Sequence, residues 1–167
     1  MIDKKYIAIE GAIGVGKTTL AKKISDTIKC ETIFEDYVTN PFLKDFYDHS
    51  YLNSAICLIT TKSPIELIES LLDIELKLGR KRSKSNDYIA RLIDLDVLLI
   101  EGLVVNHPRL KVPHPLMNSR RFVLQPLADI APDWIHEVDG ISISDLLLKC
   151  DDQIDVTHYG KIPLHSH

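Results

Sequence analysis

The sequence lacks the cysteine patterns and the long apolar runs that mark secreted, zinc-binding or membrane-spanning proteins. Its three cysteines, Cys30, Cys57 and Cys150, are odd in number and far apart, so they fit neither a disulfide framework nor a zinc motif. Reduced thiols, as in a cytoplasmic protein, are the expected state. No apolar run reaches the length of a membrane span, and the opening Met1–Lys5 carries no signal-peptide pattern. We therefore expect a cytoplasmic protein that does not bind membranes.

An excess of basic charge is also missing. Lys and Arg number 20 against 24 Asp and Glu, a net charge of −4, whereas general nucleic-acid binders are usually basic. We therefore expect small-molecule partners and no nucleic acid. The 167 residues, 45% hydrophobic and 26% charged, are typical of one globular domain. No Pro/Gly/Ser-rich linker and no internal repeat divides them.

Two aspartates interrupt an apolar stretch near the middle of the chain. Residues 91–100, Arg-Leu-Ile-Asp-Leu-Asp-Val-Leu-Leu-Ile, predict a strand. Side chains alternate along a strand, so Asp94 and Asp96 leave the same face. Two carboxylates on one face repel each other unless a cation lies between them, and Mg²⁺ is often held by one or two carboxylates together with substrate phosphates and water. A magnesium site and a solvated edge strand both fit this spacing.

A second motif lies near the N-terminus. Residues 11–18, Gly-Ala-Ile-Gly-Val-Gly-Lys-Thr, fit the phosphate-binding pattern GxxxxGK[ST] in full, with a strand predicted before them and a helix after them. In such a P-loop, Gly11 and Gly16 let backbone N–H groups close around a phosphate at a helix N-terminus. Lys17 would add a charge and Thr18 a magnesium ligand. A glycine-rich turn that matches by chance is the alternative.

The other elements are predicted from end signals and spacing. Ser63 and Pro64 open a helix as N-cap and first helical residue, Gly79 closes it, and Ser142 opens a later one. The predicted elements are a strand at 53–60, a helix at 64–78, a short strand at 122–127, a short helix at 143–149 and a frayed polar tail at 151–167.

A series of motifs in a fixed order runs from residue 51 to about residue 148. They are Tyr51-Leu-Asn53, Ser63-Pro64, Glu75, Gly79-Arg-Lys-Arg82, Arg91-Leu-Ile-Asp-Leu-Asp96, Val112-Pro-His-Pro115 and Arg120-Arg-Phe122. This part of the chain resembles 6-hydroxymethyl-7,8-dihydropterin pyrophosphokinase, a folate-pathway family, and RxxDxD followed by PHP and RxF is specific to it. Ile89-Ala90 depart from the Gly-Pro that the family usually has there.

The resemblance implies an activity and a site. The activity is Mg²⁺-dependent transfer of the β,γ-diphosphate of ATP to the hydroxymethyl group of a dihydropterin, with release of AMP. The implied catalytic residues are Arg80, Arg82, Arg91, Asp94 and Asp96, the two aspartates also binding metal. The implied ATP contacts are Glu75, His114 and Arg120, and the implied pterin contacts are Asn53 and Phe122. The P-loop pattern adds Gly11, Gly16, Lys17 and Thr18 as further candidates for ATP binding. Arg121 adjoins Arg120, so either arginine fits the motif.

The first fifty residues carry a different likeness. Residues 6–20 and Asn40–Tyr47 resemble the start of the deoxynucleoside kinases, and Glu35 lies where that family has its general base. The later motifs of that family do not follow. Two alternatives therefore stay open: a P-loop phosphotransferase of the deoxynucleoside kinase type, and an inactive hybrid that only binds nucleotide.

Both resemblances fit one sheet. We expect an α+β sandwich, with helices packed on a ferredoxin-like sheet of about four or more strands that opens with a β-α-β unit of P-loop type. The two parallel strands of that unit leave a slot, and the strand after Tyr51 can fill it in the antiparallel direction. Residues 1–150 then form a single pyrophosphokinase-like domain, in which 1–50 is the P-loop segment and 51–150 the rest, followed by the tail 151–167.

The two motifs lead to a direct comparison of two variants. We expect Lys17→Ala to lower pyrophosphokinase activity less than Arg91→Ala does, because the transferred group should lie beside the aspartates. Turnover and calorimetric ATP binding of both variants check this. Loss of ATP binding in Lys17→Ala, with Arg91→Ala unaffected, would assign the site to the N-terminal segment.

Overall fold

The computed structural model describes residues 4–8, 24, 26–28, 31–39, 51–78 and 94–160. The predicted P-loop at 11–18 and the basic residues from Arg80 to Arg91 lie outside this set. Among the residues described, no helix has the length and apolar character needed to cross a membrane.

A five-stranded sheet forms the middle layer. Its strands are β1 (Lys4–Ala8), β2 (Glu31–Thr39), β3 (Tyr51–Thr60), β4 (Val97–Ile100) and β7 (Val156–Gly160). They lie in the order β4-β1-β3-β2-β7. A separate hairpin consists of β5 (Val105–His107) and β6 (Leu110–Val112). The helices are α1 (Pro64–Lys77), α2 (Arg121–Ile130), α3 (Ile143–Lys149) and a 3₁₀ turn at Met117–Ser119.

The central strand β3 lies between β1 and β2 and is antiparallel to both. The predicted slot and its antiparallel filling are therefore confirmed. Ile24 and residues 26–28 are helical, which agrees with the end of the helix predicted between β1 and β2. The resulting β-α-β-β-α-β order is that of a ferredoxin-like sheet, and the chain is a mixed α+β protein.

Two apolar layers cover the two faces of the sheet. Side chains alternate along β3, so Ile56 and Leu58 enter one core while Ala55 and Cys57 enter the other. The first core is completed by α1 and by Ile24 and Ile28. The second is completed by α2 and α3. All four residues of β4 are buried, which explains why its sequence is continuously apolar.

The predicted start of α1 is confirmed. Ser63 is the N-cap and Pro64 the first helical residue. The Ser63 hydroxyl accepts a hydrogen bond from the backbone N–H of Glu66 (3.3 Å), and the Glu66 carboxylate accepts one from the backbone N–H of Ser63 (2.8 Å). Together they form a capping box. The Ser63 hydroxyl also donates a hydrogen bond to the Glu66 carboxylate (2.6 Å). This bond, together with the one from the Ser63 backbone N–H, holds the pKa of Glu66 below its usual value. The predicted helix opened by Ser142 is confirmed as α3.

The short strand predicted at 122–127 is wrong, because these residues belong to α2. Val123, Leu124 and Leu127 are buried together against α3, and this spacing lies on one side of a helix. A short apolar run does not distinguish a strand from a buried helix, and Pro126, which lies inside α2, made the helical pattern harder to see.

The frayed tail predicted at 151–167 is also wrong in part. Residues Val156–Gly160 form β7 and pair with β2 in the antiparallel direction, from Val156 opposite Thr39 to Gly160 opposite Asp36. Backbone hydrogen bonds to an existing strand edge order this segment, and they do not depend on an apolar sequence. Residues 161–167 lie outside the described set.

The burial of α2 leads to a stability prediction with a matched control. Leu124→Ala should lower the free energy of unfolding by about 2–5 kcal/mol, because a fully buried leucine leaves a cavity. Leu148→Ala on α3, where the side chain is 81% exposed, should change it by less than about 0.5 kcal/mol. Urea denaturation measures both. Equal losses would show that α2 does not pack on the sheet in this way.

Candidate functional site

An open cleft of about 710 Å³ lies beside the carboxyl-terminal part of α1 and the start of β4. Six of the residues predicted for the site line it together: Glu75, Asp94, Asp96, His114, Arg120 and Phe122. They are contributed by α1, by the segment before β4, by the loop after β6 and by the start of α2. Residues far apart in the sequence thus share one cleft.

The aspartate segment differs from the predicted strand 91–100, because β4 begins only at Val97. The backbone N–H of Leu95 donates a hydrogen bond to the Glu75 carboxylate (Oε1, 2.7 Å), so it does not pair with a neighbouring strand. The side chains of this segment nevertheless alternate in direction, as they do in a strand. Leu95 is 2% exposed and points into the core, while Asp94 and Asp96 on either side of it are half-buried and line the cleft.

Glu75 holds the aspartate segment in place. It lies on α1 and is 2% exposed, and a carboxylate buried to this degree needs polar partners. The Leu95 N–H is one such partner, between the two aspartates. The resemblance implies an ATP contact for Glu75, and the structure adds a hydrogen bond to the backbone that carries the metal-binding candidates.

His114 is fixed by its backbone and by its ring. Its N–H donates to the Leu98 carbonyl of β4 (2.8 Å), and its Nδ1 accepts from the backbone N–H of Leu116 (3.3 Å). The neutral ring therefore carries its proton on Nε2. Burial lowers the pKa of His114, Asp96 opposes this shift, and Arg120 adds to it. A neutral imidazole with an N–H to donate is the result.

Arg120 and Phe122 contact each other at the start of α2. The guanidinium carbon of Arg120 lies 5.8 Å from the centre of the Phe122 ring, within the range of a cation–π interaction. Arg121 is not among the residues that line the cleft, and it bonds to Asp152. Of the two adjacent arginines that fit the motif, Arg120 is therefore the one at the cleft.

Sequence reasoning missed Arg109, which also lines the cleft. Its guanidinium forms an ion pair with Glu69 of α1 at 2.7 Å, and both side chains are about half exposed (51% and 50%). Exposed pairs of this kind are weak, so the guanidinium can exchange this partner for an anionic ligand at little cost. Its position in a basic Pro-Arg-Leu motif shortly before Val112-Pro-His-Pro115 was the available signal.

The other predicted site residues are not part of this cleft as described. Asn53 is 4% exposed within β3 and is not among the lining residues. The remaining predicted residues lie outside the described residues: Gly11, Gly16, Lys17, Thr18, Arg80, Arg82 and Arg91.

The donor set of the cleft suits Mg²⁺. Within the described parts of the chain, no group of three or more His, Cys, Asp or Glu side chains is placed to hold a metal ion by itself. Asp94 and Asp96 supply hard oxygen atoms at an open cleft. Mg²⁺ is usually bound by one or two carboxylates, with the other positions left to water and substrate phosphates, so the residues present fit this ion.

The fold and the cleft together define an α+β protein with a ferredoxin-like sheet and a site of carboxylates, arginine, histidine and phenylalanine. The chain belongs to the 7,8-dihydro-6-hydroxymethylpterin-pyrophosphokinase (HPPK) family, whose model it matches over residues 6–132. This match begins in β1 and thus includes the opening segment. The described residues lend no support to a P-loop.

Three relatives bear the printed name 2-amino-4-hydroxy-6-hydroxymethyldihydropteridine pyrophosphokinase. The chain is 40% identical to that of Synechocystis sp. over 107 residues (64% of this chain, 52% of the relative). It is 40% identical to that of Methylorubrum extorquens over 116 residues (70% of each). It is 42% identical to that of Pseudomonas aeruginosa over 100 residues (60% of each). The chain thus spans between about half and 70% of the length of these relatives.

The hydrogen bond between Glu75 and Leu95 leads to a stability prediction. Glu75→Ala should lower the free energy of unfolding by about 1–3 kcal/mol, because the buried Leu95 N–H loses an acceptor. Glu75→Gln keeps an acceptor oxygen and should cost less. Glu69→Ala on the same helix, a half-exposed residue, is the matched control and should cost less than about 1 kcal/mol. Chemical denaturation compares the three, and a Glu75→Ala protein as stable as Glu69→Ala would contradict the role of this bond.

Proposed function

We propose that the chain catalyses the Mg²⁺-dependent transfer of diphosphate from ATP to the hydroxymethyl group of 6-hydroxymethyl-7,8-dihydropterin, with release of AMP, as a step of folate biosynthesis. The observation that carries the proposal is the single cleft shared by Asp94, Asp96, His114, Arg120 and Phe122. The family match covers all five residues, and each has the chemistry that one of the two substrates requires.

The reaction asks mainly for positioning and for neutralisation of charge. The hydroxymethyl oxygen forms a bond to the β-phosphorus, the bond from that phosphorus to the oxygen bridging it to the α-phosphate breaks, and the hydroxyl proton is released. AMP leaves with the bridging oxygen. Both the attacking and the leaving oxygen lie close to a highly charged triphosphate, so the surrounding groups must lower that charge.

The residues of the cleft divide this work in the proposal. Asp94 and Asp96 would hold Mg²⁺, which would neutralise triphosphate charge and help to align the reacting oxygens. Arg120 offers a planar pair of N–H donors to phosphate oxygens, and His114 donates through Nε2. Arg80, Arg82 and Arg91 complete the phosphate contacts in the proposal.

The pterin half of the site rests on Phe122 and Asn53 in this proposal. Phe122 stacks on the flat ring, and Asn53 offers both donor and acceptor groups to the ring edge. The contact between Arg120 and Phe122 (5.8 Å) supports the assignment, because a phosphate donor and a pterin acceptor must lie next to each other for transfer.

The opening segment is part of the same unit in our proposal, since β1 and β2 both pair with β3. Residues 1–150 form one domain, and the strand β7 extends it beyond the limit expected from the sequence. Residues Gly11, Gly16, Lys17 and Thr18 remain a candidate phosphate loop of P-loop type. We also infer a cytoplasmic location, where cysteine thiols stay reduced.

The nucleotide product tests the proposal. With ATP, Mg²⁺ and the dihydropterin, AMP marks diphosphate transfer. ADP would instead mark a P-loop phosphotransferase, and the absence of both products would mark an inactive hybrid. Chromatographic separation of the nucleotides distinguishes the three outcomes, and only the first agrees with the proposal.

Two variants test the metal-binding role of the aspartates. Asp94→Asn and Asp96→Asn should each lower kcat/KM more than about 100-fold, because loss of outer-shell partners alone costs about 10- to 100-fold. The fold should persist, since the change removes repulsion between two carboxylates. Asp133→Asn, at an exposed position, is the matched control and should behave like the wild type. An unchanged dependence of activity on Mg²⁺ concentration in both variants would contradict the role.

A further inference from the structure

Residues 133–160 extend beyond the part of the chain that the family model matches, which ends at residue 132. They contain α3, a short linker and β7. In this linker, Asp152 bonds to Arg121, which lies between two residues of the candidate site. Asp152 lies between the end of α3, where Cys150 is buried in the core, and β7, which is bonded to β2. Both ends of the linker are thereby fixed.

Asp152 and Arg121 hold each other through two hydrogen bonds. The backbone N–H of Arg121 donates to Asp152 Oδ2 (3.0 Å), and the Arg121 Nε donates to the Asp152 carbonyl (2.9 Å). The second carboxylate oxygen, Oδ1, accepts from the backbone N–H of Ile154 (3.0 Å). The Asp152 carboxylate thus joins the start of α2 to the turn between Asp152 and Ile154. The Arg121 guanidinium bonds in addition to the backbone carbonyl of Asp152.

This contact replaces a helix cap that α2 otherwise lacks. Arg120 is at the N-cap position of α2 and makes no side-chain capping bond, although the first N–H groups of a helix have no partner within the helix. Asp152 supplies an acceptor from a distant part of the chain. A carboxylate is well suited to this position, because it also interacts favourably with the helix dipole.

Arg121, the residue that Asp152 caps, lies between Arg120 and Phe122, which the proposed function assigns to the two substrates. Arg120 and Phe122 both line the cleft and contact each other, whereas Arg121 between them bonds to Asp152. Fixing the backbone and the side chain of Arg121 therefore limits the directions in which its two neighbours can point. We propose that Asp152, acting through Arg121, is a positioning residue that sets Arg120 and Phe122 for the two substrates, an inference that rests on the proposed function.

Three variants of the full chain test this inference. In Asp152→Ala, kcat/KM for ATP and for the dihydropterin should both fall about 10-fold or more, since small displacements of binding groups can cost up to about 100-fold. Asp152→Asn keeps an acceptor oxygen and should recover most of the loss. Asp151→Ala removes the exposed neighbouring carboxylate and should stay within about twofold of the wild type.

The separation of KM from kcat distinguishes positioning from a loss of folded protein. A smaller active fraction lowers the apparent kcat and leaves both KM values unchanged, whereas misplaced binding groups raise them. The single tryptophan, Trp134, packs against the core formed with α2 and α3, so its fluorescence reports whether each variant is folded. Unchanged KM values for both substrates in folded Asp152→Ala would overturn the inference.

Calorimetric binding of a non-hydrolysable ATP analogue with Mg²⁺ separates this inference from the proposed function. A wild-type chain that binds the analogue but forms no AMP would overturn the proposed transfer alone. The affinity of Asp152→Ala for the analogue would then test the role of Asp152. An affinity about 10-fold weaker than that of the wild type supports positioning, and an equal affinity overturns it. A wild-type chain that binds no nucleotide would overturn both.

Discussion

The structure depends on one constraint: the central strand β3 needs a hydrogen-bonded strand at each edge and an apolar layer on each face. Its two edges take β1 and β2 as antiparallel partners, and its alternating side chains need an apolar layer on each face. The helix α1 follows directly and covers one face, and α2 with α3 covers the other. The cleft lies beside α1, and the aspartates are held there because the Glu75 side chain of α1 reaches the backbone of Leu95.

The features that could be predicted are those with local physical signals. Ser63 and Ser142 are N-caps whose side chains accept hydrogen bonds within the first turn, so both helix starts were visible in the sequence. The β3 strand was visible from its composition. The pairing of Asp94 and Asp96 on one side of Leu95 followed from alternation alone, and it persists even though β4 starts later than predicted.

The features that could not be predicted depend on partners distant in sequence. The strand β7 is polar, and it is ordered by the backbone edge of β2. Arg121 follows Arg120 directly, and only the position of Asp152, which is 31 residues away, shows which arginine turns from the cleft. Arg109 is brought to the cleft by the β5–β6 hairpin. The α2 helix was mistaken for a strand because its short apolar run has no decisive period.

The short strand β7 has a consequence for the behaviour of the protein in concentrated solution. Without it, the nine-residue strand β2 would present a long row of unpaired backbone groups at the end of the sheet, and such rows recruit strands from other molecules. β7 pairs with β2 from Asp36 to Thr39, four of its nine residues, and so interrupts this continuous edge. The same terminal segment that carries Asp152 to the helix thus also interrupts the edge along which a strand of another molecule would pair.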